Sequence, residues 1–552
     1  MTYDVCVFGG CSLDQMYYLK NGEKVKKSPD MLVPGGKGAN QAVAAARAGA
    51  KVTIITRLGK DDIGENILEN LSYNGIYTNN VEMVEGLEND AAKIYIDPDN
   101  KDNDIKRCSG AINSFTPDMV ERYSKVLLQS KIVVAQMKVA KEVSVRLINF
   151  CYENNIPIII TPCRPEKLFI GDEGNKELID KITYITANRQ ECMRIFGSED
   201  IFECVSLYPN KLIVTLGSEG VVYHDGNQIV KLDAINVEKV EDTTGAGDTF
   251  NGNLAYLLSA GDDLKEAIVR AQFASAMKIQ KKTAQDGMPY KEELDNFIYT
   301  YYLDDSDYSS EFELAYQAIM EAADNIKKNK IISIRVKDDN TFVTASDLLA
   351  EKTIIDSIRE EYPNDNFVTE EFNPTNKIKD RTWIIDPIDG TAHYMKNSLF
   401  WAIQLAFVDK GEVEFSIIYL PKLDEMYYAI KGKGAFLNNK KIYLNDDTSL
   451  EQCIVEFCGS IGKKLEQKRT VFYKLLNADV KPANFMHINS CSFAFCNLLA
   501  GRTDALIVST IKPWDVMPGL FLCSEAGLNQ YNINDLTVVS NSKEFDRFVV
   551  ND

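Results

Sequence analysis

Two short runs of carboxylates and glycines in this sequence have the composition of phosphate-handling sites. The first is Asp242-Thr243-Thr244-Gly245-Ala246-Gly247-Asp248, and the second is Trp383-Ile384-Ile385-Asp386-Pro387-Ile388-Asp389-Gly390-Thr391. A glycine turn at a helix start, with a carboxylate beside it, suits the transfer of phosphate onto an alcohol. Paired carboxylates on a rigid turn suit metal ions that help to remove phosphate. The two runs therefore predict opposite reactions.

In the first run, Gly245 and Gly247 allow backbone N–H groups to converge on one point at the beginning of a helix. The positive end of the helix adds to their attraction for an anion. Asp248 lies at the edge of this predicted anion hole, where a carboxylate can accept the proton of an attacking hydroxyl. The alternative is that Asp248 only caps the helix.

A second glycine-rich element, Pro34-Gly35-Gly36-Lys37-Gly38-Ala39-Asn40, opens an alanine-rich stretch that ends near Gly49. The pattern predicts a helix with flexible backbone and available amides at its start. It is not a Walker A loop, because that motif places Ser or Thr after Gly-Lys and here Gly38 follows Lys37. Alone, the element is as compatible with a tight turn as with a binding site.

In the second run, Asp386 and Asp389 can present two carboxylates and an intervening carbonyl on one turn. Glu370 ends a predicted strand, and Asp515 precedes a predicted helix. Oxygen-only ligands suit Mg²⁺, and four acids from three segments can enclose two or three ions. Any one of these acid pairs alone could instead form a turn or a helix cap.

The elements that position these residues follow from the hydrophobic pattern. In the first half, short apolar runs alternate with longer helical stretches. The apolar runs are 52–56, 132–134, 156–160 and Leu212–Thr215. This rhythm predicts βαβ units and a parallel sheet covered on both faces. Around 304–310 the pattern becomes polar and acidic, which indicates an interdomain connection. The predicted domains are 1–298 and 311–552, with a linker over 299–310, because 552 residues exceed one core.

The second domain begins with a predicted amphipathic helix, whose apolar positions recur at three and four residues: Phe312, Ala315, Tyr316, Ile319, Ala323 and Ile326. The stretch 412–442 predicts antiparallel strands and turns.

Composition excludes several classes of function. The net charge of −20 repels nucleic acid and anionic membranes. The 12 cysteines contain no Cys-x-x-Cys pair, and the pairs Cys6/Cys11, Cys453/Cys458 and Cys491/Cys496 are interpreted as buried thiols rather than zinc ligands. These features predict a soluble protein of a reducing cytoplasm, since no apolar run reaches about 18 residues and no signal peptide precedes the first strand.

The stretch 4–289 resembles the ribokinase family of sugar kinases, with its motifs in order. The resemblance implies an α/β/α sandwich with a small β lid, and it implies ATP, Mg²⁺ and K⁺ as cofactors. The implied sugar-binding residues are Asp14, Gly36, Lys37 and Asn40. For the nucleotide, the resemblance implies that Asn188 and Glu191 organise Mg²⁺ and phosphate and that Thr215, Gly217 and Ser218 form the nucleotide loop. It also implies that Asp242 and Thr244 bind the monovalent cation, that Gly245, Ala246 and Gly247 form the anion hole, and that Asp248 is the base.

Two departures from that family concern the sugar. Ser12 replaces a common asparagine, and Lys138 stands where many members carry a sugar-binding glutamate. A lysine there would suit an anionic substrate, but it could equally point to solvent. Ribose and a phosphorylated or acidic sugar therefore both remain open.

The stretch 312–549 resembles the inositol monophosphatase family through the Asp-Pro-Ile-Asp-Gly-Thr string, which implies a layered α/β sandwich. The implied metal ligands are Glu370, Asp386, the Ile388 carbonyl, Asp389 and Asp515, while Asp347 and Thr391 activate the attacking water. Val508 replaces an inositol-contacting glutamate, which makes inositol phosphate a less favoured substrate. His393 is interpreted as structural rather than substrate-binding, and Arg502 is either a surface residue or a phosphate anchor.

Together the resemblances predict a bifunctional enzyme that phosphorylates a sugar and hydrolyses a sugar or polyol phosphate, with small molecules as its partners. The alternative is one active domain joined to a ligand-sensing regulatory module. Both families suggest a homo-oligomer.

Overall fold

The computed structural model describes residues 2–20, 23–24, 29, 31–97, 102–108, 110–163, 175–303, 306–328, 333–336, 342–444, 448–459, 482–509, 512–533 and 536–550. The chain forms two compact units, Met1–Ile298 and Tyr299–Asp552. Among the described residues, no helix is long and apolar enough to cross a membrane.

The described strands of the first unit are β1 Tyr3–Phe8, β2 Ser12–Lys20, β3 Glu23–Lys24, β4 Met31–Gly35, β5 Val52–Gly59, β6 Val81–Val84, β7 Ala91–Asp97, β8 Asp102–Cys108, β9 Ser130–Gln136, β10 Ile158–Thr161, β11 Tyr184–Asn188, β12 Leu212–Thr215, β13 Val221–His224 and β14 Ile229–Leu232. Its helices are α1 Lys37–Arg47, α2 Asp62–Tyr73, α3 Asp118–Arg122, α4 Ser124–Leu128, α5 Lys141–Glu153, α6 Asn175–Lys181, α7 Arg189–Phe196, α8 Ile201–Leu207, α9 Ala246–Ala260 and α10 Leu264–Lys278. The next helix, α11 Lys291–Leu303, spans the boundary between the two units in sequence.

A nine-stranded sheet forms the centre of this unit, in the order β14-β13-β12-β11-β10-β9-β1-β5-β6. The strands from β12 to β6 are parallel, while β13 and β14 are antiparallel to their neighbours. Buried apolar residues pack on both faces of the sheet. The predicted α/β class and parallel sheet are thereby confirmed, and the carboxyl ends of the strands meet at one edge.

A smaller sheet joins β3, β2, β7 and β8, with β4 paired to β2. Ser12 on β2 pairs with Gly35 on β4, and Asp14 pairs with Val33. This sheet corresponds to the expected β lid, and it carries Asp14 close to the start of α1.

The second unit contains helices α12 Ser309–Lys328, α13 Ala345–Glu361, α14 Thr391–Met395, α15 Cys491–Leu499, α16 Pro513–Glu525 and α17 Lys543–Val550. Its strands are β15 Ile334–Val336, β16 Phe342–Thr344, β17 Asn366–Thr369, β18 Thr382–Asp389, β19 Ala402–Asp409, β20 Glu412–Leu420, β21 Glu425–Ile430, β22 Gly434–Leu437, β23 Lys440–Lys441, β24 Ile454–Cys458, β25 Asn484–Met486, β26 Ala505–Val508, β27 Asn529–Ile533 and β28 Leu536–Ser540.

These strands form a seven-stranded sheet from β17 to β23 in chain order, a five-stranded sheet in the order β25-β24-β26-β28-β27, and the β15-β16 pair. An aromatic core fixes α12 on the larger sheet, with Phe312 5.3 Å from Phe415 and Trp383 4.5 Å from Phe407 between ring centroids. The expected helix and the antiparallel strands over 412–442 are present. Of the expected linker, 299–303 complete α11, 304–305 lie outside the described residues, and Ser309 begins α12.

Candidate active sites

The start of α9 is shaped by glycine. Gly245 precedes the helix with φ 83°, and a Cβ there would lie 3.0 Å from Ala284 Cα. Ala246 N donates to Thr243 O at 3.2 Å, and Thr249 N donates to Gly245 O at 2.8 Å. The amides of Gly247 and Asp248 therefore remain at the open end of the helix, where a Cβ on Gly247 would meet no atom within 4 Å.

Asp248 is 5 % exposed and accepts hydrogen bonds on both carboxylate oxygens. Asn40 Nδ2 donates to Oδ2 at 3.0 Å, and Gln41 Nε2 donates to Oδ1 at 3.0 Å. Lys37 Nζ lies 3.8 Å from Oδ1, and the charge of Asp248 is the largest influence raising the pKa of Lys37. The structure thus joins the glycine-rich element on α1 and the acidic motif on α9 into one cluster.

Gln41 is a residue of this cluster that sequence reasoning missed. It is fully buried, and it accepts a 2.7 Å hydrogen bond from Gln136 Nε2 while it donates to Asp248. Its position four residues after Lys37 puts both side chains on one face of α1, which is a signal that could have found it. Asn40 is held in turn by Gln285, whose Nε2 donates to Asn40 Oδ1 at 3.0 Å.

Asp14 is half-buried at the junction of the two sheets. Ser12 Oγ and Ala92 N each donate to Asp14 Oδ1 at 3.1 Å. Gly36 has φ 88°, and a Cβ there would lie 2.6 Å from Ser12 N. Gly36 is therefore required where the start of α1 approaches β2, and Ser12 orients the Asp14 carboxylate.

Lys138 is half-buried just after β9. Its charge acts on Asp90, whose pKa is raised by burial and lowered in part by hydrogen bonds from Gly110 N and Ile112 N and by Lys138. A role for Lys138 in binding an anionic sugar stays a prediction.

Asn188 and Glu191 form a capping box at the start of α7. Asn188 Oδ1 accepts from Glu191 N at 2.9 Å, and Asn188 N donates to Glu191 Oε2 at 3.0 Å. Glu191 also contributes to the raised pKa of Lys37, after Asp248, so it lies on the same side as the cluster. The nearby nucleotide-loop candidates include Thr215, whose hydroxyl donates to Ala187 O at 3.4 Å, Gly217 with φ 63°, and the exposed Ser218.

The loop before α9 contains Asp242 and Thr244. Asp242 Oδ1 accepts from Thr244 N at 2.8 Å. Burial raises the pKa of Asp242, but the hydrogen bonds from Thr244 and Thr283 and the charge of Lys278 together outweigh it, so the pKa is lowered. Lys278 Nζ donates to the Asp242 main-chain oxygen at 2.7 Å. Lys278 was missed from sequence, since a lysine at the end of a helix is usually solvated.

In the second unit, a β-bulge presents the Asp386 and Asp389 carboxylates. Asp386 pairs with Gln404 and Asp389 with Ala402, so β18 has one residue more than β19 between these pairs. Asp386 is 1 % exposed and accepts from Ile388 N at 3.1 Å. Asp389 Oδ2 accepts from Ser490 Oγ at 2.8 Å.

Mutual repulsion characterises these acids. Burial is the largest influence that raises the pKa of Asp386 well above its usual value, followed by the charges of Glu370, Asp389, Asp515 and Asp347. Burial also raises the pKa of Asp389, against hydrogen bonds from Ser492 and Ser490. Among the described residues, no three His, Cys, Asp or Glu side chains already have the spacing of a metal cage. The acids are therefore near enough to raise the pKa of Asp386, but the described side chains do not yet have the spacing of metal ligands.

Asp347 and Thr391 meet beside this cluster. Thr391 Oγ1 lies 3.1 Å from both Asp347 Oδ1 and Ile388 O. Thr344 N donates to Asp347 Oδ2 at 2.8 Å, and burial raises the pKa of Asp347 to about 6. The carboxylate is thus anchored on one oxygen and faces the threonine hydroxyl with the other.

Glu351 was also missed from sequence, although it lies one turn after Asp347 on α13. It is fully buried, and its carboxylate accepts from Glu371 N at 2.9 Å, from Phe372 N at 2.7 Å and from the Thr369 hydroxyl. These bonds fix the segment that contains Glu370.

The family departures have structural explanations. His393 Nε2 lies 2.6 Å from Ile488 O, which agrees with a structural histidine. Arg502 forms an ion pair with Glu425, and Val508 is buried. The six cysteines that lie five positions apart in sequence, Cys6/Cys11, Cys453/Cys458 and Cys491/Cys496, are all buried free thiols, as expected.

Comparisons with known proteins agree with this division. The pfkB family of carbohydrate kinases matches residues 2–291, and the inositol monophosphatase family matches residues 304–544. A ribokinase of Bacillus subtilis is 36 % identical over 299 residues, which is 53 % of this chain and 99 % of the relative. A fructose-1,6-bisphosphatase/inositol-1-monophosphatase of Thermotoga maritima is 35 % identical over 191 residues, 34 % of this chain and 69 % of the relative. A solved ribokinase of Arabidopsis thaliana has TM-score 0.48 and 25 % identity, over 54 % of this chain and 99 % of that one.

The chain therefore belongs to the pfkB family of carbohydrate kinases in its first part and to the inositol monophosphatase family in its second, a sugar kinase fused to a phosphoric monoester hydrolase.

Proposed function

We propose that the chain is a bifunctional enzyme, in which the first unit phosphorylates a sugar hydroxyl with ATP and the second hydrolyses a sugar or polyol phosphate monoester with Mg²⁺. The observation that carries the proposal is that each unit assembles a buried carboxylate beside an open helix start. These carboxylates are Asp248, next to the Gly247 amide, and Asp347, next to Thr391. Ribose is one candidate sugar because of the ribokinase relative. The half-buried Lys138, which lies close enough to Asp90 to affect its pKa, keeps a phosphosugar as the other.

In the kinase unit, Asp14 and Asn40 bind sugar hydroxyls, and Asp248 accepts the proton of the attacking hydroxyl. Hydrogen bonds from Asn40 and Gln41 hold that carboxylate in place. The Gly247 and Asp248 amides stabilise negative charge on the phosphoryl group during transfer. Thr215, Gly217 and Ser218 contact the nucleotide, while Asn188 and Glu191 organise its phosphates, and Mg²⁺ bound to ATP would neutralise developing charge.

In the phosphatase unit, Glu370, Asp386, the Ile388 carbonyl, Asp389 and Asp515 would hold Mg²⁺. This set fits, because the donors are all oxygen and a divalent cation would stabilise the carboxylate of Asp386, whose pKa is raised first by burial and then by the neighbouring acids. Bound Mg²⁺ would lower the pKa of the attacking water and stabilise the leaving alkoxide. Thr391 orients the water, and Asp347 Oδ1 takes its proton through the 3.1 Å contact with the threonine hydroxyl.

The test is to incubate the purified chain with ATP, MgCl₂ and a panel of sugars and sugar phosphates, and to measure ADP and inorganic phosphate separately. Asp248→Asn should abolish ADP formation alone, and Asp389→Asn should abolish ester hydrolysis alone. Accumulation of phosphorylated product in Asp389→Asn would show that the two sites share an intermediate. If one activity is absent from the wild-type chain while its unit still binds ligand, the regulatory alternative is favoured.

A further inference from the structure

The ammonium group of Lys278 lies in the interior of the first unit. Its side chain is 0 % exposed, and Nζ donates to the main-chain oxygen of Asp242 at 2.7 Å. Lysines are rarely buried completely, because an ammonium group loses much hydration energy away from water. The group reaches the loop of Asp242 and Thr244, which the family resemblance assigns to a monovalent cation.

The same loop is connected to the start of α9. The amides of Glu241 and Asp242 donate to Ile279 O at 2.7 and 3.1 Å, and Ser275 Oγ donates to Ala246 O at 2.9 Å. Lys278 lies between Ser275 and Ile279 in sequence, so its backbone belongs to the segment that supports the anion hole. A positive charge at Lys278 is therefore placed behind the helix start.

The residues present do not fit an additional K⁺ ion. An ammonium group and K⁺ carry the same charge and both are stabilised by surrounding oxygen atoms, and a charge-assisted N–H···O contact is typically about 2.7 to 2.9 Å. A second cation on the Asp242 oxygen would lie beside the fully buried ammonium group, from which water is excluded, and like charges repel strongly there. The lysine already meets the need for one positive charge.

We propose that Lys278 is a built-in replacement for the monovalent cation, and that phosphoryl transfer in this chain does not require K⁺. Lys278 is a positioning residue: it touches the loop before the anion hole and not the reacting atoms. It fixes the Asp242 carbonyl and adds positive charge behind the Gly247 and Asp248 amides. The catalytic consequence rests on the proposed kinase function, whereas cation binding can be measured without it.

Thermal unfolding of the full chain in KCl, NaCl or choline chloride at equal ionic strength tests cation binding alone. The wild-type midpoint should be the same in the three salts. Lys278→Ala should lower the midpoint and create a shift specific to KCl, because the vacated space leaves the Asp242 carbonyl oxygen open to the ion. Lys282→Ala is the control; this lysine is 80 % exposed, lies 3.7 Å from Glu241 and should give no K⁺-specific shift. A wild-type midpoint that rises with KCl alone, or a Lys278→Ala midpoint that ignores KCl, would overturn the proposal.

ADP formation with ATP and D-ribose tests the catalytic consequence in the same salts. The wild-type rate should change by less than about twofold, while Lys278→Ala should lose about 10-fold or more in choline chloride and recover with KCl or NH₄Cl. Lys278→Met should stay slow in every salt, since it fills the space without charge. A purely structural lysine would give losses that no cation reverses. If no variant or wild-type chain forms ADP, the proposed kinase function fails with this sugar, and the unfolding result still decides the inference.

Discussion

Asn40 and Asp248 are separated by 208 positions in sequence, yet Asn40 Nδ2 lies 3.0 Å from Asp248 Oδ2. This contact brings the start of α1 to the start of α9, so that two helix termini and one carboxylate face the same point. Because Asn40 also accepts from Gln285, its amide orientation is fixed before any sugar binds. The proposed base is therefore oriented by groups that are present in the protein alone.

Gln41→Leu should slow the kinase through loss of this orientation. The substitution keeps the size of the side chain but removes the donor to Asp248 Oδ1 and leaves Gln136 without its acceptor. We expect kcat for ADP formation to fall by about 10- to 100-fold, with the KM for ATP nearly unchanged. Gln272→Leu is a matched control, since this buried glutamine on α10 donates to Asp233 O at 3.1 Å, away from Asp248. Equal loss of activity in both variants would contradict the positioning role.

The sequence and the structure agree best where a motif is contiguous. The string 386–391 and the glycine run before α9 carry their own spacing, so their neighbourhood was predictable. The roles of Gln41, Lys278 and Glu351 were not predictable. Each is a residue type common in helices, and its burial depends on segments that are distant in sequence. The five-strand order of the smaller phosphatase sheet likewise follows from long-range pairing, such as β24 with β26, that local periodicity does not encode.

Glu351→Gln should weaken Mg²⁺ binding in the phosphatase more than it slows the saturated reaction. The amide retains one oxygen but replaces the other with a donor, which would face the backbone N–H of either Glu371 or Phe372. The segment that contains Glu370 would then shift, and we expect the Mg²⁺ concentration for half-maximal activity to rise about 10-fold. A titration of phosphate release with MgCl₂ measures this. Glu360→Gln, at an exposed position of the same helix, should leave the titration unchanged; an unchanged Glu351→Gln titration would argue against the support role.

Asp386→Asn should stabilise the metal-free chain while it removes the response to Mg²⁺. Burial and neighbouring carboxylates disfavour the charge of Asp386, and an asparagine can still accept from Ile388 N. In EDTA we expect the midpoint of the phosphatase unit to rise by about 2 to 4 °C, the shift for about 1 kcal/mol in a unit of this size. In MgCl₂ the wild-type midpoint should rise and that of Asp386→Asn should not. Differential scanning calorimetry measures these midpoints, and a lower Asp386→Asn midpoint in EDTA would refute the repulsion argument. Asp356→Asn, an exposed substitution, is the control.

Glu456 on β24 should make the phosphatase unit less stable as pH rises. The residue is 0 % exposed; Asn497 Nδ2 donates to Oε2 at 3.1 Å, while Oε1 has no hydrogen-bond partner among the described residues. Burial raises the pKa of Glu456 to about 7, against 4.5 as its ordinary value. Between those values the folded state holds a proton that the unfolded state has lost, so stability falls as pH rises through this window and the loss is complete above pH 7.

Glu456→Gln removes that titration and keeps an acceptor for Asn497. Well below pH 4.5, where the glutamate is protonated in both states, the variant and the wild-type chain should have similar free energies of unfolding. At about pH 8 the variant should be more stable by about 3 kcal/mol, the free energy that corresponds to the pKa difference. Urea unfolding followed across this pH range measures the difference, and Glu451→Gln at an exposed position should show none. A constant difference between Glu456→Gln and wild type at every pH would mean that Glu456 is not protonated in the folded chain. Another group would then donate a hydrogen bond to its Oε1.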